Sequence, residues 1–200
     1  MPFLQPLSEI IAAITGLLGV WLTSRQHIAC WPVALVSIVF SLFVFYSERL
    51  YQDAILQVFY LLMTFYGWYN WRYGGKNDSP LQVTRMSRYT LTSYLMAGAV
   101  AALASGYWFS EHSDAVLPYW DALSLIGGII GTVWMARKWI EHWLLWVVID
   151  ILCTGIYFSR SLYFFTIQYF IFTLLAIYGW YCWKKELSPP HTTREINTTK

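Results

Sequence analysis

Asp150 is a carboxylate where a carboxylate is expensive: the stretch Trp143 to Phe158 around it is apolar and holds no second Asp, Glu, Lys or Arg. Trp143, Trp146, Asp150 and Tyr157 stand at i, i+3, i+7 and i+14. At about 100° per residue these four fall within an arc of about 60° on a helix, so one face would carry two indoles, a carboxylate and a phenol. A carboxylate lined by aromatic rings suits an organic cation or a pair of ribose hydroxyls. The alternative is an Asp bonded to a donor on a neighbouring helix for packing. A second stripe runs through Gln57, Tyr60, Thr64, Trp68 and Trp71 at i, i+3, i+7, i+11 and i+14, again on one face. Gln168 plays the part of Gln57 later in the chain, with Tyr178 along the same side. Polar groups deep in an apolar span normally face a cavity or a partner, so these residues are the candidates for touching a solute. Trp180 and Trp183 fit an interfacial aromatic belt as readily as an inner stripe.

Other chemistries find little support. No His-Glu-x-x-His, paired carboxylates or Ser-His-Asp set falls within the apolar runs, so no residue is read as catalytic. Cys30, Cys153 and Cys182 lie inside apolar runs without Cys-x-x-Cys or a His at ligand spacing, and read as packing residues; neither a metal nor a cofactor is expected. His142, beside Glu141, reads as a solvated loop residue. A net charge of +2 gives no reason to expect nucleic acid.

The elements that must position these stripes are membrane helices. The chain is 58% hydrophobic and 12% charged, where soluble domains carry about a quarter charged residues. Crossing roughly 30 Å of hydrocarbon takes about 20 residues, and backbone groups in lipid must bond internally. Seven runs qualify: about Ile10 to Thr23, Ile28 to Tyr46, Ala54 to Trp71, Tyr89 to Phe109, Trp120 to Met135, Trp139 to Phe158 and Leu162 to Trp183. Met1 to Glu9 lacks the basic region of a cleavable signal, so the first run is expected to stay as a helix. Arg25, Arg72, Lys76, Arg85, Arg88, Arg137, Lys138, Lys184, Lys185, Arg194 and Lys200 fall on one side, against Arg49 and Arg160 on the other. The positive-inside rule then places the N-terminus outside and the C-terminus in the cytoplasm.

The runs repeat. Tyr66-Gly67-Trp68-Tyr69-x-Trp71 recurs as Tyr178-Gly179-Trp180-Tyr181-x-Trp183, a shift of 112 residues. The same shift pairs Gly16 with Gly128, Gly19 with Gly131, Arg25 with Arg137, Trp31 with Trp143, Ser47 with Ser159 and Leu50-Tyr51 with Leu162-Tyr163. The expected fold is thus all-α and integral to the membrane: seven transmembrane helices in a 3+1+3 arrangement of two parallel three-helix repeats. A repeat of three would come out inverted on direct fusion, and one extra crossing restores its orientation. The domain reading is 1–73 for the first repeat, 74–115 for a cytoplasmic loop and linker helix, 116–185 for the second repeat, and 186–200 for a disordered cytoplasmic tail. Parallel repeats of this kind mark transporters, with the solute site between the halves near the midplane. Gly16, Gly19 and Gly127-x-x-x-Gly131 supply small faces for close helix contact.

Leu56-Gln57-Val58-Phe59 leading into the Tyr66 motif, and Arg137-Lys138 followed by Glu141-x-Trp143-Leu144-Leu145-Trp146, resemble the PnuC family of bacterial vitamin transporters, relatives of the SWEET sugar transporters. The resemblance runs from the first helix to Lys185. It implies a bacterial inner-membrane homotrimer with a pathway in each protomer. It further implies facilitated diffusion of nicotinamide riboside, an NAD precursor that a cytoplasmic kinase traps by phosphorylation. Two positions depart from it: Thr64 and Asp150 stand where riboside-transporting members carry Asn. Other branches carry thiamine, riboflavin or deoxynucleosides, so thiamine is the runner-up substrate. The competing mechanism is proton coupling through Asp150, against which stands the lack of a second relay residue. An asymmetry between the copies favours Asp150 and Trp146 as solute residues: the 112-residue shift sets them opposite Ile38 and Ala34, while Trp31, opposite Trp143, reads as structural.

Overall fold

A computed structural model describes residues 4–47, 51–112, 117–159 and 161–187. These residues form seven α-helices: α1 (Leu4–Ser24), α2 (Cys30–Ser47), α3 (Tyr51–Tyr73), α4 (Arg88–His112), α5 (Pro118–Ala136), α6 (His142–Ser159) and α7 (Tyr163–Leu187). One 3-10 turn, Lys76–Asp78, follows α3, and no strand occurs among the described residues beyond an isolated bridge between Thr84 and Trp139. Arg49, Arg160, Asp114 and the tail beyond Leu187 lie outside the described residues, and with them the part of the disordered-tail expectation that covers 188–200.

Each apolar run becomes one helix, with ends set by local chemistry. α1 runs 21 residues, longer than its apolar run, because Pro6 sits in the first turn, where a missing N–H breaks no intrahelical bond. Pro118 opens α5 in the same way. α6 begins at His142 rather than Trp139, because residues 137–141 form turns instead of helix. The turns after α1 and α5 share one device: Gln26 and Lys138 take left-handed backbone conformations, φ 53° and 51°, and stand 112 residues apart.

α1 packs on α2, α2 on α3, α3 on α5, α5 on α6, α6 on α7, and α7 back on α1, closing a ring of six helices. α4 packs on α5 alone among the described helices, its Gly98 against Ile130 and its Gly106 against Tyr119. α5 turns its glycines to α6, where a Cβ at Gly131 would lie 3.1 Å from the Trp146 ring and one at Gly127 would lie 2.9 Å from Ile149. His142–Ser159 and Tyr163–Leu187 are long and apolar enough to cross a membrane, and α1 and α2 hold shorter apolar stretches. Ring-facing positions are buried while Val148, Ile151, Phe158, Leu174 and Ile177 are more than half exposed, an apolar exterior that suits lipid rather than water.

Candidate functional site

Two groups of side chains occupy the inside of the ring, one mid-helix and one at the end bearing Arg25 and Arg137. The mid-helix group is built on α3, α5, α6 and α7. Asp150 is 4% exposed, its side chain within electrostatic reach of Cys153 and Tyr169. Thr154 instead turns its hydroxyl to the backbone carbonyl of Asp150 at 2.7 Å, and Thr64 donates to the carbonyl of Tyr60 at 2.8 Å. Both threonines therefore spend their donors on their own helices, the usual fate of a hydroxyl in an apolar span. Tyr60 reaches across to α5: a Cβ on Gly128 would sit 2.6 Å from its hydroxyl and 4.0 Å from the Trp146 ring. A glycine at position 128 thus leaves room for a phenol and an indole from two different helices to converge.

Tyr157, about a turn beyond Cys153 on α6, has its ring centroid 5.2 Å from that of Tyr169 of α7, the two planes tilted by 37°. Tyr169 in turn meets Phe172 edge to face at 5.7 Å, and it lies within electrostatic reach of Tyr157, Cys153, Asp150 and Tyr60. This residue was missed by the sequence reading, which chose Gln168. The signal was present: strict 112-residue register sets Tyr169, not Gln168, opposite Gln57. Gln57 and Gln168 are half-buried on α3 and α7. Trp68 keeps 39% of its surface exposed although it shares the Thr64 face. Tyr178 goes elsewhere, to the far side of α7 from Ala176 and Gly179, with its ring 5.6 Å from the Arg25 guanidinium.

The terminal group is aromatic. Trp31 and Trp71 meet at 5.3 Å, Trp71 and Trp183 at 5.8 Å, and Trp183 and Trp143 at 5.6 Å. Trp143 joins this cluster rather than the Asp150 group, 2% exposed and seated on Gly179 as Trp31 is on Gly67. Trp183 is fully buried, so it is not a belt residue. His142 is corrected likewise. Its ring is fully buried between Trp143 at 4.5 Å and Trp183 at 4.7 Å, because the loop ends at Glu141 and His142 already belongs to the helix. Among the described residues no group of three His, Cys, Asp or Glu is placed to hold a metal ion.

The arrangement can bind a flat or ring-bearing solute with a polar or cationic portion. Comparison with known proteins places it more closely. The nicotinamide riboside transporter PnuC of Escherichia coli is 26% identical over 200 residues, covering 88% of this chain and 84% of the relative. The riboflavin/roseoflavin transporter RibM of Streptomyces davaonensis is also 26% identical, over 179 residues and with the same shares covered. The PnuC of Neisseria mucosa is 22% identical over 186 residues, 88% of this chain and 71% of the relative. The crystal structure of the vitamin B3 transporter PnuC superposes with a TM-score of 0.71 at 20% identity, over 92% of this chain and 88% of the other, a likeness of fold. Residues 6–185 match the family described as nicotinamide mononucleotide transporter, so nearly the whole ring is accounted for, and the chain belongs to that transporter family, whose PnuC members it resembles throughout.

Proposed function

We propose that this protein imports a vitamin or NAD precursor, foremost nicotinamide riboside, across the bacterial inner membrane by facilitated diffusion, and that phosphorylation in the cytoplasm traps it. The observation that carries the reading is the Asp150 carboxylate, buried inside a ring of helices and within electrostatic reach of Tyr169. Burying a carboxylate is costly unless it is paired, so a solute cation or hydroxyl pair is a natural partner for it. Trp146, Tyr60 and Tyr157 supply faces for an aromatic base, and Gln57, Thr64 and Gln168 polar edges; Trp68 lines the approach. Trp143 and Tyr178 stand further from this centre, Trp143 as part of the terminal cluster. The relatives' names, riboside and riboflavin transporters, support solutes that pair a ring with a polyol.

In this reading the ring is a 3+1+3 SWEET-like assembly of repeats 1–73 and 116–185 joined through 74–115. The N-terminus lies outside and the C-terminus inside, in a homotrimer embedded in lipid. The recurrence of equivalent contacts 112 residues apart supports the two-repeat division. Purified protein titrated with nicotinamide riboside, thiamine and riboflavin tests the substrate, with the riboside expected to bind most tightly; saturable binding of thiamine alone would move the assignment to thiamine. Proton coupling through Asp150 is the second reading, favoured by the same buried carboxylate. Initial uptake into empty proteoliposomes is expected to ignore an imposed proton gradient, and uptake that tracks the gradient would favour coupling.

A further inference from the structure

We propose that the terminal tryptophan cluster is a closed gate, and that the Lys138–Gln26–Glu186 chain is its bolt. The inference rests on the transport reading above and concerns the end of the ring that the proposed orientation makes cytoplasmic. Four indoles fill this end, and two bind across the boundary between repeats. Trp71 Nε1 donates to the carbonyl of Met135 at 3.0 Å, and Trp183 Nε1 donates to the carbonyl of Thr23 at 3.1 Å. These two bonds are the same bond drawn twice, once from each repeat to the other, so any separation of the repeats at this end breaks both together.

The bolt crosses the same boundary. Lys138 Nζ donates to Gln26 Oε1 at 3.1 Å, and Gln26 Nε2 donates to Glu186 Oε2, linking the turn after α5, the turn after α1 and the last turn of α7. The ammonium also lies 4.5 Å over the Trp71 ring, so the bolt rests directly on the plug. Lys138 is 6% exposed, an unusual burial for a lysine, and the left-handed turns at Gln26 and Lys138 are what aim the two side chains at each other. Thr84 straps the outside, its N–H donating to the Lys138 carbonyl at 3.1 Å and its carbonyl accepting from Ile140 N–H at 3.0 Å, with Val83 buried beside it.

The plug is also incompletely satisfied. Trp31 Nε1, Trp143 Nε1 and His142 Nε2 are buried without a hydrogen-bond partner, three of the four such atoms among the described residues. Buried polar atoms are normally paired, and opening this end would hydrate all three, which offsets part of the work of parting the rings. A closed state held by a few polar bonds and burdened with unpaired polar atoms is one that can open.

Cys30 reads the gate without a solute. It is 2% exposed within the cluster and within electrostatic reach of Lys138. With Cys153 and Cys182 changed to Ala, alkylation of Cys30 by a maleimide in native membranes is expected to be slow. Lys138→Met and, separately, Gln26→Leu are expected to speed it roughly tenfold or more, the size of a lost charge-assisted bond. Rates equal to the parent in both variants, with melting temperatures unchanged, would overturn the proposal. As a measurement that does not depend on tolerance of those substitutions, Gln26→Cys with Glu186→Cys in a cysteine-free background is joined by a cleavable bis-maleimide. The joined protein is expected to bind vitamin yet fail in transport until the linker is cut, whereas transport at the uncut rate would overturn the gate. Because Cys30 labelling needs no solute, a failed vitamin assignment would show only in the binding panel and leave the labelling result to judge the gate.

Discussion

Gly179→Ala offers a direct measure of how tightly the terminal cluster is built. A Cβ added at Gly179 would stand 2.5 Å from one Trp143 ring atom and 2.6 Å from two more. Carbon atoms pack at about 3.5–4.0 Å, so the indole would have to retreat by roughly 1 Å. It has nowhere easy to go, with His142 at 4.5 Å and Trp183 at 5.6 Å around it. Overpacking of this kind costs about 1–3 kcal/mol, and the better helix propensity of Ala returns at most about 1 kcal/mol. The net loss is up to about 2 kcal/mol, a fall of up to about 8 °C in melting temperature for a chain of this size. Gly155→Ala is the control, since a Cβ there meets nothing within 4 Å and should leave the melting temperature level or slightly raised. Thermal unfolding in one detergent at one scan rate compares the two, and Trp143→Phe added to Gly179→Ala should recover part of the loss by vacating space. Gly179→Ala melting as high as Gly155→Ala would refute the seat-and-ring packing.

Gly128→Ala is expected to act on solute binding rather than on the fold, because the one close contact of its Cβ would be the far end of Tyr60 at 2.6 Å, with the Trp146 ring at an ordinary 4.0 Å; titration calorimetry should show affinity reduced several-fold at nearly constant melting temperature. Asp150→Asn should preserve folding while weakening binding by a charge-assisted contact, on the order of 1.5–3 kcal/mol or roughly tenfold and more in Kd, and Trp146→Ala should weaken it by removing a stacking face. Unchanged affinity with a lower melting temperature would return Asp150 to packing. Burial lowers the Lys138 pKa from 10.5, opposed by Glu186, so the folded chain binds fewer protons there than the unfolded one. Stability should therefore rise with pH as it climbs from the lowered value toward 10.5, and this rise, followed by thermal unfolding, should be absent in Lys138→Met. A reporter fused to the C-terminus should be active in the cytoplasm and one at the N-terminus outside; the reverse would sink the proposed orientation.

Helix number and order were legible because each apolar run is bounded by polar turns, and the scaffold was legible because its landmarks repeat. The Tyr-Gly-Trp-Tyr motifs turn out to be seats, Gly67 for Trp31 and Gly179 for Trp143, with Trp71 and Trp183 as cross-repeat donors. What stayed hidden depends on side-chain reach. His142 next to Glu141 looks solvated in a linear reading, since nothing local reveals that the helix starts there and that Trp183 comes to cover the ring. Lys138 looks like a topology anchor until a left-handed residue turns it inward onto Trp71.

The division between copies also separates the two jobs of the ring. The aromatic and basic positions that match under the 112-residue shift, Trp31 with Trp143, Trp71 with Trp183 and Arg25 with Arg137, gather at one end, where a structure that must open and close benefits from two equivalent halves bearing equal parts of the seal. The mid-helix positions do not match: Tyr60 faces Phe172, Thr64 faces Ala176, Asp150 faces Ile38 and Trp146 faces Ala34. A vitamin has no two-fold axis, so a site that grips it must break the symmetry of the scaffold, and the unmatched polar and aromatic rungs do so at the level of Asp150. Tyr169 opposite Gln57 belongs to the same set. In a chain built from repeats, the matched tryptophans thus point to the moving frame and the unmatched polar and aromatic rungs to the cargo.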